Sequence, residues 1–229
     1  MNGKIVLYAL GLFSLLLLML IVSGQKHLLN SKEIDDKFSK VWKTSEATRK
    51  LYSWKSKTEA TRDEKIMQVL TEEISYGPDG RQVKKVISNL EAPLPSGFIV
   101  HQVAEDQKAK IVSFMKELSV FLEKYALDND STRHVFFSKA TISLPDANGI
   151  LMVSGANVLT KGDRLNWWID TKTYSITKAT ISTTYKSTSA EFSAIYNLLP
   201  GLNYMSSAKI LVPSKNMIVK LLFSDYSRQ

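Results

Sequence analysis

The chain has 229 residues, with 30 Lys and Arg against 22 Asp and Glu, three His and no Cys. Apolar residues are 44% and charged residues 23%, a globular composition and not a disordered one. The lack of Cys excludes a disulfide scaffold, a thiolate zinc site, a Cys nucleophile and a lipid on an N-terminal cysteine, and three scattered His argue against a His-rich metal site.

Met1 to Lys4 forms a short positive start, followed by 18 uncharged residues from Ile5 to Val22 and then Ser23-Gly24. That is the three-part export pattern. The apolar run exceeds an ordinary signal core, and about 20 residues would span a bilayer. Two readings of residues 1–24 therefore stand, a cleaved signal peptide or a membrane anchor. Both put residues 25–229 outside the cytoplasm, in the periplasm or anchored to the inner membrane and facing outward. Residues 25–128 carry 18 basic and 16 acidic side chains, and residues 129–229 carry 11 and 6. No Gly/Ser or Pro-rich linker separates the two stretches and no repeat recurs, so 25–229 reads as one domain.

Residues 33–51 carry Ile34, Phe38, Val41 and Trp42 at helical spacing, with Ser31 as the expected cap. Tyr52 to Glu59 alternates and reads as a half-buried strand. Over 64–76, Ile66, Leu70 and Ile74 keep helical spacing, whereas Met67/Val69 and Ile74/Tyr76 suit a strand. Gly77-Pro78-Asp79-Gly80 decides for a hairpin, because Pro sets φ and the last Gly accepts the left-handed exit. The returning strand is Arg81–Ser88, and residues 90–100 form a Pro-broken connection.

The strongest periodicity follows. Ile111, Phe114, Met115, Leu118, Phe121, Leu122 and Tyr125 recur at steps of three and four, opposite a charged face. Burying these seven contributes roughly 10–20 kcal/mol gross, so a helix over 105–126 must lie on a large apolar surface. From Thr132 to the end the chain reads as strands. Turns fall at Pro145–Gly149, Lys161–Asp163, Asp170–Thr173, Pro200–Asn203 and Pro213–Asn216. Leu165/Trp167/Ile169, Ala190/Phe192/Ala194/Tyr196 and Met217/Val219/Leu221/Phe223 each share a face. Strands joined by short turns make an antiparallel meander, and two helices outside the strand run make an α+β domain.

Several strings, taken in order, carry a resemblance. They are Tyr52-Ser53-Trp54-Lys55, Ser75-Tyr76-Gly77-Pro78-Asp79-Gly80-Arg81, Thr160-Lys161-Gly162-Asp163-Arg164, Trp168-Ile169-Asp170-Thr171-Lys172-Thr173, Leu198-Leu199-Pro200-Gly201-Leu202-Asn203-Tyr204 and Phe223-Ser224-Asp225-Tyr226. With the basic amphipathic helix, this order resembles exported bacterial proteins similar to the periplasmic lipoprotein-carrier (LolA/LolB-like) fold. The resemblance spans residues 45–228. It implies a strongly curved antiparallel sheet, a half-barrel, with helices on its concave side, and in those carriers that side takes acyl chains. Turn motifs carry the match, and they encode fold and not activity.

No nucleophile elbow, His-Glu-x-x-His, phosphate loop or dinucleotide fingerprint occurs. His27, His101 and His134 read as surface or locally satisfied residues. Asp128-Asn129-Asp130-Ser131 lacks the Gly and distal Glu of a calcium loop and reads as a solvated turn ending the long helix. Asn129-Asp130-Ser131 is also a glycosylation sequon. No enzyme activity, metal or cofactor is expected.

The expected role is binding of an apolar ligand, a lipid or lipoprotein acyl chain. The lining residues would be Trp54, Phe114, Met115, Leu118, Phe121, Trp167, Phe192 and Phe223. An ordinary aromatic core is the competing reading of the same residues. Adjacent Trp167 and Trp168 face opposite sides of a strand, so at least one side must be covered. An empty apolar pocket of about 500 Å3 would cost roughly 12 kcal/mol, so the 105–126 helix should act as a lid. A protein-interaction or envelope-sensing module with an envelope protein partner is the alternative. A deep groove would favour the ligand, and a filled one the partner. The net charge of +8 fits solubility or anionic headgroups. Nucleic acid is not an expected partner outside the cell.

Overall fold

The structure, a computed structural model, describes residues 30–92 and 98–229, with side chains from 98 to 108 left aside. The export segment at 1–24 lies outside the described residues. Among the described residues no helix is long and apolar enough to cross a membrane.

Among the described residues three α-helices and ten strands make an α+β architecture. The helices are α1 (Ser31–Arg49), α2 (Phe98–Glu123, continued by a 3-10 turn over Lys124–Ala126) and α3 (Asp130–Lys139). The strands are β1 (Tyr52–Arg62), β2 (Lys65–Tyr76), β3 (Gln82–Glu91), β4 (Thr141–Ile142), β5 (Ile150–Ala156), β6 (Arg164–Asp170), β7 (Ile176–Tyr185), β8 (Thr188–Leu199), β9 (Leu202–Val212) and β10 (Met217–Arg228). All belong to one open sheet in the order β3-β2-β1-β10-β9-β8-β7-β6-β5-β4. Every pairing is antiparallel. Two meanders thus meet edge to edge where β1 runs beside β10, with Tyr52 opposite Arg228. Five register shifts interrupt the ladders, and each bulge bends and twists its strand.

Turn chemistry explains most of the hairpins. Gly77–Gly80 closes as expected: the Gly80 N–H donates to Gly77 O at 2.9 Å and Gly80 has φ +74°. Two of the glycine-free hairpins use primed turns. Asp63-Glu64 and Lys186-Ser187 take positive φ at both central residues, the primed geometry that matches strand twist.

Two expectations at helix starts are corrected. Asn30, not Ser31, caps α1, its side chain accepting from the Lys32 N–H at 3.0 Å. The strand run does not begin at Thr132, because α3 occupies Asp130–Lys139. Asn129 caps α3 by accepting from the Ser131 and Thr132 N–H groups. The string at 128–131 is therefore a helix start rather than a solvated helix end. The Val135-Phe136-Phe137 run reads as strand only until Asn129 is recognised as a cap.

The core lies on the sheet face that carries the helices. Phe38 of α1 stacks on Trp167 at 5.2 Å, and Phe136 of α3 meets the same ring edge-on at 5.0 Å. Small residues make room for these rings. In register across three strands, Ala179, Ala194 and Ala208 lie side by side, and all three are buried. A Cβ on Gly155 would come within 2.5 Å of the Phe136 ring. Trp168, on the opposite face, is covered by the Lys178 ammonium at 4.7 Å from its ring centre.

Candidate functional site

Polar groups fix α1 and α3 to one another. Arg133 is completely buried, and its Nε donates to Ser39 Oγ at 3.0 Å and one terminal nitrogen to Leu127 O at 3.1 Å. Its other terminal nitrogen pairs with Asp130, which also receives Lys43. Asp35 accepts from Ser39 and pairs with His134, so that histidine is a locally satisfied residue. Asn203 serves the other end of α1. Its amide bridges Ile176 and Asn197 backbone groups, while Ser45 Oγ bonds both its N–H and its C=O.

Helix α2 is held differently. At its C-terminal end, Tyr125 is buried and its hydroxyl lies 2.7 Å from Asp163 Oδ2 and 2.8 Å from Thr183 Oγ1. The Asp163 carboxylate also accepts three backbone N–H groups, from Val158, Leu159 and Thr160. Burial raises the pKa of Asp163, but the Tyr125 hydroxyl and the three amides outweigh it, and the net shift is downward. The Tyr125 phenol is pushed up to about 12, chiefly by burial. Leu127, buried just beyond, takes a left-handed φ of +51° and ends the segment.

Further toward the N-terminus, α2 is tied at its surface. Glu117 Oε2 accepts from Tyr185 Oη at 3.0 Å and Lys186 Nζ at 2.5 Å, both on the β7–β8 hairpin. The lysine hydrogen bond, then the phenol, lowers the Glu117 pKa. Phe114 and Phe121 sit on either side of this latch and meet the Tyr185 ring at 6.0 and 5.1 Å. Lys215, before β10, lies 4.7 Å above the Phe114 ring.

Burial along the α2 stripe is graded. Leu118, Leu122 and Tyr125 are buried, whereas Ile111, Phe114, Met115 and Phe121 are half-buried. The half-buried group is packed against the core, as are Ala60, Phe192, Tyr196 and Leu221 of the sheet and Trp42 on α1. The half-buried α2 residues and this apolar fringe of the core make the candidate site.

The structure divides the expected lining residues among three places. Phe114, Met115 and Phe121 lie on the fringe, and Phe192 lies on its sheet side. Leu118 and Trp167 belong to the filled core, at 0% and 2% exposure. Trp54 stands apart, stacked on Tyr226 at 5.5 Å and tilted toward Tyr76 at 6.1 Å. Phe223 is half-buried opposite Ser56 of β1. Trp42, Tyr185 and Tyr196 were not among the expected lining residues, although the Phe38/Trp42 spacing was visible. A second groove, of about 300 Å3, is lined by Thr180, Ile181, Ser182, Glu191, Phe192, Ser193, Lys209 and Leu211. No group of three or more His, Cys, Asp or Glu suited to a metal occurs among the described residues.

No family model matches the chain, and no curated protein matches its sequence. Solved structures of similar shape include a DUF1329 family protein from Desulfovibrio piger, 9% identical over 86% of this chain and 92% of that one, with a TM-score of 0.43. A LolA superfamily protein from Nitrosomonas europaea is 9% identical over 83% of this chain and 92% of its own, with a TM-score of 0.34. An outer membrane lipoprotein-sorting protein domain from Vibrio parahaemolyticus is 8% identical over 85% and 93%, with a TM-score of 0.40. The distant similarity to the lipoprotein-carrier fold, stated from the turn strings, recurs among these neighbours. At such identity and superposition it says nothing of a ligand.

Proposed function

We propose that this protein is a non-enzymatic cell-envelope protein that binds a lipid or lipoprotein acyl chain between the sheet and α2. In this reading the bulged sheet bends round its helices as a half-barrel. The observation that carries the proposal is the graded burial of one continuous apolar stripe. Leu118, Leu122 and Tyr125 are sealed in the core, while Ile111, Phe114, Met115 and Phe121 lie half-buried against it, Phe114 and Phe121 on the Tyr185 ring. An apolar chain sliding along these half-buried residues would complete a burial already begun, at roughly 25 cal/mol per Å2 removed from water. Met115, flexible and polarizable, adapts to occupants of different shape. The export pattern at residues 1–24 supports the envelope location.

Native extraction followed by mass spectrometry tests this. Lipid should co-purify with the wild type and be lost from Phe114→Asn and Phe121→Asn variants that keep their fold. A wild-type protein that is clean of lipid and takes up none from vesicles would overturn the proposal.

One observation favours a second reading, the protein-interaction module. Among the described residues strand β3 is an unpaired sheet edge, and the β2–β3 hairpin exposes Ile66, Val83, Val86, Ile87 and Leu90, the last at 67%. Exposed aliphatics on an unpaired edge invite strand addition by a partner. Substituting Val86 and Leu90 with Lys would then abolish capture of an envelope partner and leave lipid uptake unchanged.

A further inference from the structure

The apolar fringe contains one conspicuous polar atom. Trp42 Nε1 is buried and has no acceptor among the described residues. Sealing a donor from water without a partner costs about 1–3 kcal/mol, and buried tryptophans ordinarily spend their N–H. Packing sets the pose of this ring. It stacks on Phe38 at 5.7 Å with a 30° interplanar angle, and on Trp167 at 6.5 Å and 19°. Turning the indole to find an acceptor would break that stack. The other buried donor without a hydrogen bond, Arg62 Nε, differs in kind, because its charge is answered by Asp63 Oδ2 at 3.6 Å.

Trp42 is one of the half-buried residues packed round the core, as are Met115, Phe192 and Leu221. A pure hydrocarbon offers this donor nothing. A fatty-acyl ligand offers one strong acceptor, its carbonyl oxygen, attached to a long apolar chain.

We infer that the Trp42 indole N–H anchors the carbonyl of a fatty-acyl ligand whose chain lies in the apolar fringe. The inference rests on the apolar-ligand reading and adds the chemistry that distinguishes an acyl group from a plain alkyl chain. An ester-linked lipid and a free fatty acid share that carbonyl.

The test compares palmitoyl lysophosphatidylcholine with its hexadecyl ether analogue and with palmitate, titrated into the full chain. One neutral hydrogen bond corresponds to about fivefold to tenfold tighter binding of the ester than of the ether. Trp42→Phe keeps the stacking ring and removes the donor, so the ester should fall to the affinity of the ether, whose own binding is unchanged. A similar loss for palmitate would extend the anchor to free acids, and palmitate binding indifferent to Trp42→Phe would confine it to esters. Of the four tryptophan indole N–H resonances, one should move downfield with the ester and not with the ether. That readout needs no variant. Equal binding of ester and ether to the wild type, with no indole shift, overturns the anchor and leaves the apolar site standing. Failure of all three probes to bind removes the apolar reading itself.

Discussion

Helices α1 and α3 on one side, and α2 on the other, cover the same sheet by different means. The first pair meets the strands through fully buried rings, Phe38, Phe136, Phe137 and Trp167, and is cross-linked by a buried arginine with three protein partners. Helix α2 has one buried anchor, Tyr125 on Asp163, and one exposed latch, Glu117 on the β7–β8 hairpin. Removing a buried partner is expensive, whereas an exposed ion pair contributes little. The two regions therefore differ in what it costs to move them. Opening the first means unfolding, and opening α2 ahead of Leu118 costs only half-buried apolar contact.

The largest expected effect sharpens that difference. Trp167→Ala should lower stability by about 3–5 kcal/mol, the range for truncating a buried aromatic. Phe114→Ala, on the half-buried stripe, should cost well under half as much. Urea denaturation of the two variants measures both. Equal losses would mean that α2 is as much a part of the core as α1.

Next in size is the anchor. The folded pKa of Asp163 lies below its ordinary value of 3.8. Its contribution is therefore fully present above that value and is lost as pH falls through the folded pKa. Asp163→Asn should cost roughly 1.5–3 kcal/mol at neutral pH, because hydrogen bonds to a charge are replaced by weaker ones. The gap between wild type and variant should close below about pH 4. Urea midpoints followed from pH 7 to pH 3 test it, and a gap that stays constant would show that the carboxylate is not charged in the fold. The Tyr125 phenol, raised to about 12, gives the mirror image. Its stabilisation is complete below about pH 10 and is lost as pH climbs through the folded value.

A smaller effect separates steric fit from chemistry. Gly155→Ala drives a methyl into the Phe136 ring, and such overpacking costs about 1–3 kcal/mol. Adding Phe136→Leu should recover part of that loss if the ring is the obstacle. A double variant no better than the single one would put the strain in the backbone instead.

The sequence was readable wherever local chemistry decides. The α2 stripe announces itself in its spacing, Gly77–Gly80 carries its turn type in its residues, and the three same-face sets on β6, β8 and β10 alternate as written. What escaped depends on distant partners. Helix α3 is ten residues long, and its Val135-Phe136-Phe137 run looks like a strand until Arg133 is known to be buried against Ser39 and Leu127. Asp63-Glu64 and Lys186-Ser187 make primed turns without the Asn-Gly signature, because the paired strands impose the geometry. The β1–β10 seam pairs the first strand with the last and has no local signal. The site was half legible for the same reason. Phe114, Met115 and Phe121 follow from helical period, whereas nothing local says that Leu118 and Trp167 end in a filled core, or that Trp42 and Tyr196 border the fringe.

The smallest expected change in stability bears most directly on how α2 moves. Glu117 and Lys186 are exposed, so Glu117→Gln should leave the thermal midpoint nearly unchanged. Its effect belongs to local opening, which has a free energy of its own, far below that of global unfolding. Without the charged acceptor, the β7–β8 hairpin no longer holds the middle of α2, and amide exchange over 111–117 should speed up. Exchange at Leu122 and Tyr125 should not change, because the Asp163 anchor is intact. If α2 is a lid, the same variant takes up and releases an apolar probe faster at an unaltered equilibrium affinity, since both the empty and filled states lose the latch. Faster exchange along the whole helix would make α2 a single rigid piece hinged at Leu127. Unchanged exchange everywhere would show that half-buried packing alone holds it closed.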